Sequence, residues 1–171
     1  MLDRGSAVFY NISIMKDTAA LDGYQASKDS ALVRLIGTVD ELNSHLGLVK
    51  TLLPDEETRQ FLEQVQKTLM KVMSHAFDAG NERYLLNEDD VACLRNETGR
   101  LSAALPKLTG FVLPGHNTTE AHIHIARTVA RRAERCFAAV SGNQPLCEYA
   151  GAYLNKLSDY LFALSLENKA A

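Results

Sequence analysis

The sequence predicts an all-α protein, an antiparallel five-helix bundle with an irregular N-terminal arm. Apolar residues recur at alternating steps of three and four along most of residues 28–168, the spacing that places them on one helix face. The segments between these periodic stretches are short and rich in glycine, proline and polar residues, as in bundles of antiparallel helices. Without internal repeats or low-complexity tracts, residues 1–171 form one predicted domain, with an arm (1–27) and a bundle (28–168).

The composition and charge of the sequence favour an ordinary globular protein. The 171 residues are 46% hydrophobic and 23% charged, as in an ordinary globular domain. A formal net charge of −3 and a pI near 5.9 argue against a general binder of nucleic acid or of anionic membranes. No apolar run is long enough to span a membrane, and no basic segment followed by an apolar one opens the chain, so we expect a cytoplasmic protein.

The arm, residues 1–27, has no clear periodicity. The stretch AVFYNISIM has some strand character, but Gly5, Gly23 and scattered polar residues favour an arm or loop over a regular element.

The first two helices are predicted from caps and apolar seams. The first begins at Asp29 or Ser30, both good N-cap residues, and ends at Pro54. Its seam consists of Leu35, Val39, Leu42, Leu46, Val49 and Leu53. The second begins at the proline and acids of residues 54–57, which suit a first helical turn, and ends near Gly80. Its buried stripe consists of Phe61, Val65, Leu69, Val72, Met73, Ala76 and Phe77.

A third helix and a loop follow. Asn87 and Asp90 resemble a capping box, and Pro106 ends the helix that they open. Its apolar face consists of Val91, Leu94, Leu101 and Leu105. In the loop LTGFVLPGHNTTE, the residues alone favour Phe111 as an anchor that packs into the core.

The fourth helix carries the stretch HIHIARTVARRAER (122–135) and is capped by Asn117 or Thr118. A helix sorts its residues into two faces. The predicted packing face consists of Ile125, Val129, Ala133, Cys136, Phe137 and Val140. The predicted polar face consists of His124, Arg127, Arg131, Glu134 and Arg135.

The fifth helix follows the short turn SGNQP, so it should lie antiparallel beside the fourth. Its apolar face consists of Tyr153, Leu154, Leu157, Tyr160, Leu161 and Leu164. Asn155, Ser158 and Asp159 cluster on its other side. The polar faces of the two helices are therefore predicted to share one site.

The arginine stripe, which we define as Arg127, Arg131 and Arg135, is the strongest chemical signal. Cations at successive steps of four repel one another, and the guanidinium fork suits carboxylate or phosphate. On an acidic protein such a stripe favours a small anionic ligand over a polyanion. The alternative is a solvated helix face on which Glu134 bridges two arginines.

Five ordered blocks give the sequence a family resemblance. GTVDELNSHLG (37–47), FDAG (77–80), FVLPGH (111–116), HIARTVARRAER (124–135) and YLNKLSDYLF (153–162) together resemble the ATP:corrinoid adenosyltransferases of the propanediol-utilisation and human methylmalonic-aciduria type. The resemblance runs from Lys28 to about Asn168. It implies a homotrimer of five-helix bundles that binds ATP, Mg²⁺ and a reduced corrinoid (cobalamin) at subunit interfaces. Such enzymes transfer the 5′-deoxyadenosyl group of ATP to cobalt(I).

The resemblance also implies roles for particular residues. Arg127 would pair with Asp40 across the interface, and Phe111 would help to displace the lower axial ligand of the corrinoid. The residues implied to contact ATP or its magnesium are Lys28, Arg131, Glu134, Arg135 and Asn155. Arg135, with Arg132 and Asp159, would also hold the helices and the interface together.

The sequence departs from this family at its nucleotide loop. Where the family carries TGDxGxTxL, residues 13–21 read SIMKDTAAL, without the glycines that allow close backbone approach to phosphate. Lys16 is a candidate replacement charge; His116 replaces a usual glycine, and Lys156 replaces a usual arginine. Three interpretations follow: a transferase with an altered ATP loop, a non-catalytic relative that binds a corrinoid or a partner, or a bundle that binds another anion.

Overall fold

The computed structural model describes the backbone of residues 13–15, 18–21, 24–142 and 146–169, and the side chains of residues 27–142 and 146–169. Five α-helices make up most of this part of the chain: α1 Ala31–Leu52, α2 Glu56–Phe77, α3 Glu88–Ala104, α4 Thr118–Ser141 and α5 Glu148–Glu167. A single 3₁₀ turn, Glu82–Tyr84, lies between α2 and α3. Among the described residues no helix is long and apolar enough to cross a membrane.

The capping residues predicted for α1 and α3 make the expected hydrogen bonds at the N-termini of these helices. The Ser30 hydroxyl accepts a hydrogen bond from the backbone N–H of Val33 at the start of α1. At α3 both halves of the capping box are present: Asn87 accepts from the Asp90 N–H, and Asp90 accepts from the Asn87 N–H. Each bond satisfies an N–H that the helix itself leaves without a partner. Polar residues just ahead of each apolar seam therefore fix where these helices begin.

The pairs α1–α4 and α4–α5 run antiparallel, as predicted for the fourth and fifth helices. Between α1 and α4, Thr38 faces Cys136 at 3.8 Å and Glu41 pairs with Arg132, so the residue numbers run in opposite directions. Between α4 and α5, Glu134 bonds Asn155, while Arg127 lies over the Phe162 ring. The bundle places α2 beside α1, α1 beside α4, α4 beside α5, and α5 beside α3.

The core is built from the predicted seams. All six seam residues of α1 and all six apolar residues predicted for α5 are buried. On α2, Phe61 and Phe77 are only half-buried, whereas the other five predicted residues are buried. Helix α4 contributes Ala126, Ala130 and Ala133, which have no exposed surface. Small side chains at these positions allow the backbone of α4 to lie close to both neighbours.

The arm is not wholly irregular, which corrects the prediction for residues 1–27. Strands β1 Ser13–Met15, β2 Thr18–Leu21 and β3 Tyr24–Ser27 form an antiparallel sheet in the order β1-β2-β3. The register pairs Leu21 with Tyr24, which leaves two residues between β2 and β3. The sequence there is Asp-Gly, a strong hairpin signal that the lack of hydrophobic alternation obscured. β3 leads through residues 28–30 into α1.

The close approach of α4 and α5 gives a stability prediction. A Cβ atom at Gly151 would lie 2.7 Å from Cε1 of the buried Phe137 ring. We expect Gly151→Ala to lower the free energy of unfolding by about 1–3 kcal/mol, because the ring must move within a packed core. Urea unfolding followed by circular dichroism measures the change.

The matched control is Gly99→Ala on α3. A Cβ atom there meets nothing within 4 Å, and the position is exposed inside a helix. The alanine should raise the free energy of unfolding by roughly 0.5–1 kcal/mol, through helix propensity alone. Equal effects of the two substitutions would contradict a tight contact between Gly151 and Phe137.

Candidate functional site

Helix α4 presents its two faces almost as predicted, with two corrections. Ile125, predicted to pack, is 42% exposed, whereas His124, predicted on the polar face, is only 4% exposed. The helix is rotated so that Ile123, Ala126 and Ala130 face the core, and this rotation carries His124 inward. The buried carboxylate of Glu120 lies beside the imidazole and reduces the free-energy cost of burying it.

The arginine stripe divides into one half-buried and two exposed side chains. Arg127 is half-buried, and its guanidinium carbon lies 5.9 Å from the centre of the Phe162 ring, a cation–π distance. Burial, and then the nearby charge of Arg131, lower the pKa of Arg127 from its usual value. Arg131 and Arg135 are exposed, and neither has an ion-pair partner among the described residues. The stripe therefore offers two unneutralised guanidinium groups to an external anion.

The polar faces of α4 and α5 meet beside this stripe, as the sequence predicted. The Asn155 side-chain N–H donates to Glu134 Oε1 at 2.7 Å, and both side chains are half-buried. Lys156, on the same turn of α5, pairs with Asp159 at 3.0 Å. Glu134 is therefore held by Asn155 rather than bridging two arginines, which argues against the alternative of a merely solvated face.

Two carboxylates of α1 behave differently towards α4. Glu41 pairs with Arg132, which ties α1 to α4 within one chain. Asp40 is exposed and has no ion-pair partner in the described part of the chain. The structure thus does not bring Asp40 to Arg127 within a single subunit, and any pairing of the two requires another copy of the chain.

Phe111 does not anchor its loop in the core, which corrects the prediction from the residues alone. Its side chain is fully exposed, at 107% of the reference area. Leu113, two residues later, is 78% exposed. Two exposed apolar side chains so close together make this loop a candidate contact surface.

A buried polar chain, which the sequence analysis missed, connects this loop to the arginine stripe. Glu120 accepts hydrogen bonds from the N–H groups of Gly115, at 2.7 Å, and His116, at 3.1 Å. Its other oxygen lies 3.1 Å from His124 Nε2, and Arg127 Nε donates to His124 Nδ1 at 3.2 Å. The sequence does contain a signal for it, a Glu-x-x-x-His spacing that places both side chains on one helix face.

The remaining predicted residues lie at the edge of the site. Lys28 is exposed in the turn before α1. Of the altered nucleotide loop, residues 13–15 and 18–21 form strands, whereas Lys16 and Asp17 lie outside the described residues. No group of three or more His, Cys, Asp or Glu side chains able to hold a metal ion occurs in the described part of the chain.

A separate surface cleft of about 290 Å³ between α1 and α2 offers no competing anion site. Its cations are already paired: Lys50 lies 3.9 Å from Glu63, and Arg59 pairs with Glu56. Arg59 also donates to the carbonyl of Leu53 at 2.9 Å, which satisfies the end of α1.

Comparison with known proteins identifies the family. Residues 16–167 match the family model described as Cobalamin adenosyltransferase. A cobalamin adenosyltransferase of Cupriavidus metallidurans is 41% identical over 149 residues, which cover 84% of this chain and 78% of that protein. A corrinoid adenosyltransferase of Bacillus subtilis is 35% identical over 156 residues, which cover 86% of this chain and 79% of that protein.

Solved structures agree with this match. A variant PduO-type ATP:corrinoid adenosyltransferase from Lactobacillus reuteri, complexed with cobalamin and ATP, aligns with a TM-score of 0.78 at 27% identity, over 86% of this chain and 84% of that chain. Another variant of that type from Lactobacillus reuteri, complexed with ATP, aligns with a TM-score of 0.80 at 25% identity, over 90% of this chain and 89% of that chain. The helical bundle with its arginine stripe thus belongs to the cobalamin adenosyltransferase family.

Proposed function

We propose that this protein transfers the 5′-deoxyadenosyl group of ATP to the cobalt of cob(I)alamin. In this reaction cobalt(I) attacks the 5′ carbon, a cobalt–carbon bond forms, and the 5′ carbon–oxygen bond breaks to release triphosphate. The observation that carries the proposal is the exposed, unneutralised pair Arg131 and Arg135 beside the Glu134–Asn155 hydrogen bond. The relatives favour this function over a non-catalytic protein or a bundle for another anion.

For this reaction the protein needs mainly to position the two substrates and to stabilise the negative charge of the leaving triphosphate. Cobalt(I) is itself a strong nucleophile, so no side chain needs to activate it. The leaving triphosphate gains negative charge as its bond breaks, and fixed guanidinium groups stabilise that charge without reorganising. Holding the two substrates in line removes the entropic cost of bringing them together. An arginine stripe on a rigid helix supplies both effects.

The ATP site that we propose lies on α4 and α5 and in the turn before α1. Arg131 and Arg135 would bind phosphate oxygens, and Lys28 would add a third cation from that turn. Glu134 is held by Asn155 and keeps one carboxylate oxygen available, which suits a magnesium ion carried on the phosphates. Lys16 remains a candidate for the role of the missing nucleotide loop.

The corrinoid would bind against the loop of Phe111. A fully exposed aromatic ring on this loop is costly in water and can cover one face of a large planar ligand. From that position the ring would exclude the lower axial ligand of the cobalt, as the family resemblance implies. The cobalt would then be four-coordinate and easier to reduce.

We also propose that the protein is a homotrimer with its sites at the subunit interfaces. The unpaired Asp40 and the half-buried Arg127 support this assembly, because each lacks a charged partner in its own described chain. Ile125, exposed on α4 two residues before Arg127, would be covered in the same interface. The cytoplasmic location stays a prediction from the sequence.

The first test is an anaerobic assay with chemically reduced cobalamin and Mg-ATP. We expect the wild-type protein to consume cob(I)alamin and form adenosylcobalamin. Arg131→Ala should weaken Mg-ATP binding about 10- to 100-fold, because a charge-assisted contact to phosphate is lost. Calorimetry measures the affinity, and Arg95→Ala on α3 is the control, since its partner is Glu88. Unchanged ATP affinity in Arg131→Ala would remove this assignment.

A second prediction concerns Phe111. Because the ring is fully exposed, Phe111→Ala should leave the melting temperature unchanged. It should lower kcat about 10- to 100-fold, since the cobalt loses the group that controls its axial ligand. Absorption spectra of bound cob(II)alamin should lose the four-coordinate signature, while the Mg-ATP affinity stays constant. Leu108→Ala, on the same segment and 51% exposed, is the control. Equal kcat values for the two variants would exclude Phe111 from the corrinoid site.

A third prediction tests the interface. Sedimentation equilibrium should show a trimer for the wild-type protein. Asp40→Ala should raise the dissociation constant about 10-fold, because Arg127 then stays desolvated without its partner. Asp89→Ala, an exposed acid of α3, removes the same charge and should not change the assembly. A trimer that is equally stable in both variants would rule out the pairing of Asp40 with Arg127.

A further inference from the structure

We infer that Glu120 and His124 are positioning residues that connect the Phe111 loop to the Arg127 guanidinium. The buried chain runs from the backbone of Gly115 and His116, through Glu120 and His124, to Arg127. In functional terms the inference rests on the proposed transferase activity, because the loop and Arg127 act in that reaction. The chain itself is a property of the unliganded protein.

The first link fixes the end of the loop. Gly115 adopts a φ of +105°, a backbone conformation that favours glycine. This turn aims two successive N–H groups, those of Gly115 and His116, at one carboxylate oxygen of Glu120. Glu120 has no exposed surface, and its own N–H donates to the cap residue Asn117 at 2.8 Å. Phe111 lies four residues before this anchored turn.

The second link is the contact between the Glu120 carboxylate and the His124 imidazole, one turn further along α4. Oε1 of Glu120 and Nε2 of His124 lie 3.1 Å apart, an ion-pair distance at which the ring N–H does not point along the line between the two atoms, and neither atom has a hydrogen-bond partner in the described part of the chain. Each is therefore the polar neighbour of the other. Burial raises the pKa of Glu120, but the hydrogen bonds from the N–H groups of Gly115 and His116 are the main effects that oppose burial, and the pKa lies below its ordinary value. The carboxylate remains charged.

The third link orients Arg127. Its Nε donates to Nδ1 of His124 at 3.2 Å, so Nδ1 carries no proton and the proton of the neutral imidazole sits on Nε2, facing Glu120. Burial lowers the pKa of His124, which keeps the ring neutral near pH 7. The Phe162 ring contacts both groups, with its centroid 6.3 Å from that of His124. With Nε engaged, the two terminal nitrogens of Arg127 are free to meet a partner.

The chain therefore couples two functional groups that no direct contact joins. Glu120 holds the loop that presents Phe111, and through the tautomer of His124 it also sets the orientation of Arg127. Glu120 and His124 are both buried, so a substrate in the proposed site would meet the groups that they hold rather than these two side chains. Both act through the groups that they hold, and their loss should appear in kcat rather than in the binding of ATP.

Two substitutions at Glu120 separate the links. In Glu120→Gln the amide oxygen still accepts from Gly115 and His116, but the amide NH₂ now faces Nε2 of His124. The imidazole must then accept at Nε2 and protonate Nδ1, which removes the acceptor for Arg127. In Glu120→Ala both links are lost. Circular dichroism and urea unfolding establish that each variant is folded.

The readouts distinguish the two variants. For Glu120→Gln, ¹⁵N NMR of the unliganded full chain should show His124 changed to the Nδ1–H tautomer, with amide exchange of Gly115 and His116 within about 3-fold of wild type. Its kcat should fall about 10-fold at unchanged KM for Mg-ATP, because Arg127 is misplaced. For Glu120→Ala, exchange of both amides should accelerate about 10-fold or more.

Val129→Ala, a buried position of the same helix outside the chain, is the matched control. It should lower the melting temperature while retaining the Nε2–H tautomer and the wild-type kcat. The inference is overturned if Glu120→Gln keeps the Nε2–H tautomer or the wild-type kcat, or if Glu120→Ala leaves amide exchange unchanged. A wild-type protein without turnover would instead refute the proposed activity, and the NMR readouts would still decide whether the chain exists.

Discussion

The close packing of α4 between α1 and α5 is the constraint on which the rest of the structure depends. Three alanines without exposed surface, Ala126, Ala130 and Ala133, line its inner side, and Gly151 of α5 receives the edge of the Phe137 ring. Only the face that carries these alanines is small enough to pack this closely against α1 and α5. The rotation of α4 about its own axis is therefore fixed. That rotation fixes which residues of α4 face outward, and hence where the arginine stripe lies.

A fixed rotation also decides how the polar residues of α4 are satisfied. Arg132 reaches Glu41 of α1, Glu134 reaches Asn155 of α5, and His124 is turned inward to Glu120. The first two contacts join α4 to α1 and to α5, whereas the third lies within α4 itself, so polar bonds as well as the apolar face hold the helix to two neighbours. Arg131 and Arg135 are left exposed without a counter-charge in the described chain. The local electrostatics of the site follow from the packing.

Most of the bundle could be predicted from the sequence, because helix periodicity and capping chemistry are local. The seams of α1 and α5 are buried throughout, and Asn87 with Asp90 forms both bonds of the capping box. The errors lie where tertiary contacts decide. His124 is buried beside Glu120, and Phe111 is exposed on a loop that ends at a turn bound to that same carboxylate. Helix periodicity and capping patterns in the sequence do not show either of these tertiary contacts.

The N-terminal arm and the arginine stripe represent two different ways in which a protein can bind phosphate. A glycine-rich loop binds phosphate through backbone N–H groups and needs glycine for close approach, which residues 13–21 lack. Guanidinium groups on a helix need only a rigid support and the absence of competing acids. On a chain of net charge −3, two uncompensated arginines beside the half-buried Arg127 repel one another, and an anionic ligand relieves that repulsion. Triphosphate is well suited to do so, since its charge is spread along its length as the cations are spread along the helix. In the proposed function, the stripe would therefore supply the electrostatic part of nucleotide binding, and the lack of the glycines would affect mainly how precisely the phosphates are held.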